Sequence, residues 1–126
     1  MGAERSRSEV GRAGEQAASE FLVALGYQVL ARNVRFRFGE IDIVAEDHGV
    51  LVFVEVKTRT GTGFGTPAEA VTAAKRARLV RLAEIYLARV GAVDRPCRFD
   101  VVAVEPQGRL GGWRCSVVRD AFSAGG

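Results

Sequence analysis

The chain has 126 residues and a mass of 13.6 kDa, with 48% apolar and 26% charged residues. These values fit one domain with a sizeable core and exclude collagen-like, coiled-coil and disordered chains. No unbroken apolar run exceeds that of Val50–Val54, far short of the roughly 20 residues of a transmembrane helix. The N-terminus carries Arg and Glu where a signal peptide would be apolar. No membrane association and a cytoplasmic location are therefore expected. Cys97 and Cys115 cannot form a metal site unaided and are expected to be free thiols. A net charge of +3 and a pI near 9.3 permit an anionic partner without demanding one.

Of the 18 basic residues, only Lys57 and Lys75 are lysine. A compact, rotatable ammonium does chemistry that a flat guanidinium cannot, so these two positions draw attention in a chain that otherwise uses Arg. The single His, His48, argues against a His-based triad or a zinc site.

A first amphipathic helix is predicted from Ser8, as cap, through Val10, Ala17, Phe21, Leu22 and Leu25, with Gly26 as its stop. Three strands follow as a meander over Tyr27–Arg37, Glu40–Asp47 and Val50–Thr58, with a turn at His48-Gly49. Leu51 and Phe53 alternate with Val52, Val54 and Val56, so the third strand is apolar on both faces and should be central. A Gly-bearing loop over Arg59–Thr66 is expected to form a flap. Thr66-Pro67-Ala68-Glu69 carries the signals of a helix start, and Thr72 offers a second one. Leu79, Leu82, Ala83, Tyr86, Leu87 and Val90 then form one helical stripe ending near Gly91. Arg98–Glu105 is predicted as a further strand and Arg114–Val118 as an edge strand, parted by a turn at Pro106-Gln107-Gly108. The order α-β-β-β-α-β-β gives an α/β sandwich with a central mixed sheet flanked by helices. One domain is expected over residues 1–126, with its core at about 8–119.

Two charges interrupt the strand that should be most buried. Period two places Glu55 and Lys57 on one face. With a two-residue loop at His48-Gly49, counting outward puts Asp42 directly opposite Glu55 on that face, with Cβ atoms about 5 Å apart. At an effective dielectric near 20 such charges repel by roughly 3 kcal/mol, which a proton, Lys57 or a divalent cation must relieve. Two hard oxygen donors suit Mg²⁺ or Mn²⁺; a Glu55–Lys57 ion pair with Asp42 at the sheet margin is the simpler alternative. Lys75 shares the inward sector of its helix with Leu79, Leu82 and Tyr86, so it either snorkels outward or aims at a phosphate beside Glu55. Arg35, Arg37, Arg59, Arg76, Arg78 and Arg81 are candidates for phosphate contacts, although an Arg-bearing helix face is often only solvated. Arg98 and Asp100 share a strand face and are read as a structural pair, and His48 as a turn residue.

Gly39-Glu40-Ile41-Asp42 followed by Glu55-Val56-Lys57 resembles the signature of the PD-(D/E)XK nuclease superfamily, with Ile41 in the place of its Pro. More narrowly, Gly11-Arg-Ala-Gly14-Glu15-Gln-Ala-Ala18, Ala31-Arg-Asn33-Val-Arg35, Val52-Phe-Val-Glu-Val-Lys-Thr-Arg59, Ala70-Val71 with Lys75, and Arg98-Phe-Asp100-Val-Val are similar to the YraN-like family. The resemblance runs from about residue 9 to 105. It implies a restriction-endonuclease-like αβββαβ fold related to archaeal Holliday junction resolvases, and hydrolysis of phosphodiester bonds in DNA, including branched or flapped DNA. It further implies that Asp42, Glu55 and the Val56 carbonyl hold Mg²⁺ or Mn²⁺, that Glu15 is the first-helix acid of resolvase-like members, and that Lys57 orients or activates water. Lys75, Arg59, Arg35, Arg37, Arg76 and Arg78 would face the nucleic acid. A homodimer is expected by analogy with symmetric junction substrates. A non-catalytic nucleic-acid-binding or protein-interaction module on the same fold is the competing expectation.

Overall fold

The computed structural model describes residues 7–59, 71–108 and 111–124. Its elements in chain order are α1 (Arg7–Ala24), β1 (Gln28–Phe36), β2 (Gly39–Asp47), β3 (Val50–Thr58), α2 (Ala73–Arg89), β4 (Cys97–Pro106) and β5 (Trp113–Phe122). The strands form one five-stranded sheet in the order β1-β2-β3-β4-β5. All neighbours are antiparallel except β3 and β4, which run parallel and are joined across one face by α2. The fold is thus α/β, with a mixed sheet between two helices.

The apolar strand residues explain the layers. Leu51 and Phe53 pack with Leu79, Leu82, Ala83 and Leu87 of α2. Val52 and Val54 pack with Ala18 and Leu22 of α1. β3 is therefore buried on both faces, as its unbroken apolar run predicts. β4 continues this, with Val101 under α2 and Val102 and Val104 under α1.

Two turns fix the geometry around the sheet. His48 (φ 50°) and Gly49 (φ 84°) both lie in the left-handed region, which gives the two-residue hairpin loop that matches strand twist. The resulting register, Asp47↔Val50 through Ile43↔Val54, is the one counted from sequence. α2 begins at Thr72, whose Oγ1 accepts the Lys75 N–H at 3.2 Å; the alternative start at Thr66-Pro67 and the Gly-bearing flap lie outside the described residues. α1 already includes Arg7, so Ser8 lies within the helix rather than at its cap. β5 runs on to Phe122, whose ring stacks on Phe99 at 5.1 Å, so the core extends past the expected limit near residue 119.

The polar end of the sheet opposite the candidate site is closed by one network. Arg98 donates to Asp100 Oδ1 (3.0 Å), Asp47 Oδ2 (2.8 Å) and Tyr27 Oη (2.9 Å), and Tyr27 Oη donates to Asp100 Oδ2 (2.7 Å). Asp100 is fully buried and also accepts the Asp120 N–H at 2.9 Å. Arg98 and Asp100 are the structural pair their shared strand face suggests, and Asp47 and Tyr27 complete it.

α1 seats closely on the sheet at Gly14, where a Cβ would stand 2.9 Å from Thr58 Oγ1 and 3.0 Å from Val104 Cγ2. A Cβ at Gly11 would meet nothing within 4 Å. Both changes to Ala gain helix propensity of about 1 kcal/mol, but only the second does so without overpacking, which costs about 1–3 kcal/mol. Urea denaturation should therefore show Gly11→Ala stabilised by up to about 1 kcal/mol and Gly14→Ala destabilised by about 1 kcal/mol.

Candidate functional site

The site forms where β2 parts from β3. Along β2, Ile43 and Ala45 belong to the α1-side core, whereas both Val44 and Ile41 belong to the α2-side core. Strict alternation would place Ile41 with Ile43, so the alternation breaks at Asp42. The β2–β3 ladder stops at Ile43↔Val54, and one residue further on the Asp42 side chain takes over. Its Oδ2 accepts the Val56 N–H at 2.8 Å. Asp42 and Glu55 are thus electrostatic neighbours without forming a ladder pair, and Val56 meets the site through its N–H.

Three elements bring acids to this point. Carboxylate oxygens of Glu15 on α1 and of Glu40 and Asp42 on β2 all lie within 4.8 Å of one another. Glu15 is half-buried and its Oε1 accepts from Asn33 Nδ2 at 2.8 Å. Asn33 itself has φ 52°, a left-handed conformation that Asn tolerates better than most residues. Glu55 on β3 stands beside this trio and presses on Asp42 electrostatically. A cleft of about 270 Å³ opens here, lined by Gly39, Glu40, Glu55, Lys75, Arg78 and Leu79 among others.

The charges do not cancel locally. Burial, then Glu55, Glu15 and Glu40, push the Asp42 carboxyl from its ordinary 3.8 up to about 8, against the Val56 hydrogen bond that favours its ionised form. Burial also raises Glu15, with Glu40 adding to it, while Arg32 and Asn33 pull the other way. Glu55 is raised by burial despite the opposing charges of Lys75, Lys57 and Arg78. Lys57 is held below its ordinary range by burial and by Lys75, which is within hydrogen-bonding reach of it, while Glu55 opposes the shift.

Of the residues singled out in the sequence, the structure therefore brings Glu15, Asp42, Glu55, Lys57 and Lys75 together, with Arg78 on the cleft wall. Arg35 is exposed and lies 3.7 Å from Glu40. Arg37 is exposed on the β1–β2 turn. Arg59 extends the β3 pairing, its N–H donating to Val104 O at 2.8 Å. Arg76 is committed to the fold, with Nε on Val71 O at 2.9 Å and its guanidinium 5.4 Å from the Phe122 ring centroid. Glu40 and Asn33 join the site without having been assigned a role from sequence. Glu40 stands inside the Gly39–Asp42 motif, which is the only sequence signal for it.

A donor set of carboxylate oxygens, with neither imidazole nor thiolate beside it among the described residues, fits a hard divalent cation such as Mg²⁺ or Mn²⁺.

A mixed sheet between two helices, with carboxylates of α1 and β2 gathered beside a cleft lined by β2, β3 and α2, defines an α/β protein with a candidate hard-cation site. Residues 14–104 match the family described as "Uncharacterised protein family UPF0102", and the chain belongs to this family, the YraN family. It is 66% identical over 117 residues to a UPF0102 protein of Symbiobacterium thermophilum, covering 91% of this chain and 97% of that protein. It is 48% identical to one of Moorella thermoacetica, covering 93% and 98%, and 54% identical to one of Mycolicibacterium smegmatis, covering 79% and 82%. A solved structure of SfsA from Pyrococcus furiosus in complex with Ca²⁺ is similar at a TM-score of 0.40 and 17% identity, covering 89% of this chain and 62% of that one; the likeness is too loose to bear on the site.

A carboxyl whose pKa is higher in the folded than in the unfolded chain holds its proton more tightly when folded. Its contribution to stability is therefore full below its ordinary value and is lost as pH rises from about 4 towards about 8. In EDTA, Asp42→Asn should remove that dependence. Urea denaturation at stepped pH should show the stability of Asp42→Asn relative to wild type rising between pH 5 and 8, by at most about 1.4 kcal/mol per pH unit. A constant difference would mean that Asp42 ionises normally.

Proposed function

We propose that the chain is a metal-dependent nuclease that hydrolyses phosphodiester bonds in DNA, on a restriction-endonuclease-like arrangement of its α/β fold. The observation that carries this reading is the convergence of Glu15, Glu40, Asp42 and Glu55 from three elements beside the only two lysines of an Arg-rich chain. Despite the cations around it, this cluster holds the Asp42 carboxyl up at about 8, the kind of perturbed acid that collects at functional sites.

Asp42, Glu55, Glu15 and Glu40 would hold the cation. When bound, Mg²⁺ or Mn²⁺ supplies Lewis-acid polarisation of a phosphoryl oxygen and offsets the charge of the transition state. The residues of the chain do the rest. Asp42 is fixed by the Val56 N–H, and Glu15 by Asn33. Lys57 positions the attacking water and Lys75 and Arg78, on the cleft beside Glu55, hold the scissile phosphate. The water oxygen bonds to phosphorus as the P–O bond in line with it breaks; the water gives its proton to solvent and the departing oxygen takes one from solvent. Arg35, Arg37 and Arg59 border the path of the strand, while Arg76 contributes through the fold.

Single-turnover cleavage of single-stranded, duplex, flap and four-way DNA with Mg²⁺ or Mn²⁺ tests the reading. On any substrate that is cut, Lys57→Arg and Lys57→Ala should each lose about 10²-fold or more, the scale of a positioned catalytic group. Equal cleavage by all three proteins would remove Lys57 from the chemistry. A wild type inactive on every substrate with either ion would overturn the nuclease and leave a binding module on the same fold.

A further inference from the structure

The β1–β2 turn presents an aromatic ring that the core does not use. Phe36 is half-buried against the α2-side core, with the Arg89 guanidinium 4.6 Å from its ring centroid. Two residues on, Phe38 is 45% exposed at the hairpin tip. A two-residue turn needs no large apolar side chain, and polar or small residues are the usual occupants of such tips. Phe38 touches the fold through Arg81, whose guanidinium is 5.9 Å from its ring centroid. Gly39 follows directly and lines the cleft; a Cβ there would stand 3.2 Å from Arg78 Cδ and 3.3 Å from Leu82 Cδ1. This close approach holds the hairpin against α2 and places Phe38 next to a cleft-lining residue, with Arg37 beside it in the turn, Arg81 of α2 over its ring and Arg78 of α2 against Gly39.

A half-exposed ring with one guanidinium over a face and further arginines on the flanking turn and helix complements a polyanion that also offers flat rings. Duplex DNA offers the charge but keeps its base faces stacked inside; only unpaired nucleotides offer both. Resting on the nucleic-acid reading of the cleft, we propose that Phe38 stacks on an unpaired base of a single-stranded segment passing the cleft, while Arg37, Arg78 and Arg81 take its phosphates. The site would thereby select substrates with a single-stranded arm or gap beside the cut. Glu40, the acid nearest this rim in sequence, is turned into the carboxylate trio.

Fluorescence anisotropy in EDTA, where cleavage is blocked, tests this with a labelled oligothymidylate and a labelled duplex of equal length. Wild type should bind the single strand more tightly. Phe38→Ala should weaken single-strand binding by about tenfold, the scale of losing one base–aromatic stack, and duplex binding by less than about twofold. Phe38→Trp should retain the single-strand affinity, and Phe38→Leu, apolar but without a π face, should behave as Phe38→Ala. Thermal melting separates any loss of binding from loss of fold. Unchanged single-strand affinity in Phe38→Ala, equal losses on both probes, or retention by Phe38→Leu would overturn the proposal while leaving the nuclease reading intact. A wild type that binds neither probe would overturn the proposal, and cleavage with Mg²⁺ or Mn²⁺ decides the nuclease reading separately.

Discussion

Asp42 is subject to two opposed demands. Its carboxylate closes the gap where β2 leaves β3 by accepting the Val56 N–H, a role that favours its charged form. The same position, deep among Glu15, Glu40 and Glu55, makes that charge costly. The surrounding structure maintains the conflict. Gly14 lets α1 sit close enough to carry Glu15 over the sheet, and Gly39 lets the β1–β2 hairpin sit close enough to α2 to carry Glu40 to the cleft. A Cβ at Gly14 would require Thr58 or Val104 to shift, and one at Gly39 would press on the Arg78 and Leu82 side chains.

The opposite end of the sheet shows what the fold does when charges serve packing alone. Asp47, Asp100 and Tyr27 share Arg98 through three hydrogen bonds no longer than 3.0 Å, and Tyr27 donates a fourth to Asp100. There the Arg98 hydrogen bond holds Asp47 below the ordinary carboxylate range, and the described residues leave no buried side-chain polar atom without a partner. One end of the sheet thus lowers a carboxyl pKa with an internal cation, whereas the other raises one by burial, with Glu55, Glu15 and Glu40 adding to it. The same strands supply both: β2 carries Asp47 at one end and Asp42 at the other. The contrast suits an exogenous cation at the second end, where crowded carboxylates outweigh the lysines beside them at Asp42.

Much of this arrangement was legible in the sequence because it follows from short-range rules. The doubly apolar run of β3 gave its central place, the His48-Gly49 turn gave the β2–β3 register, and the stripe from Leu79 to Leu87 gave α2. Periodicity alone could not give the break at Asp42. Period-two counting assumes the ladder continues, whereas here a side chain replaces it and Ile41 crosses to the other core. Glu40 was hidden for the same reason, since alternation says nothing of a hairpin clamped to a helix. Asn33 depends on where α1 docks, a long-range contact that no local pattern encodes. Arg76 illustrates the converse: it lies on a basic helix face, yet Val71 O and the Phe122 ring hold it to the fold.

The central claim is that the acids around Asp42 are arranged for a divalent cation and hold a proton in its stead. Calorimetric titration of Mn²⁺ into metal-free protein at pH 7, repeated in buffers of different ionisation heat, measures both binding and the protons it displaces. The account predicts saturable binding with release of about one proton per ion, as deprotonation of a ligand requires, and loss of both in Asp42→Asn. Absence of binding, or binding that releases no proton and survives Asp42→Asn, would contradict it.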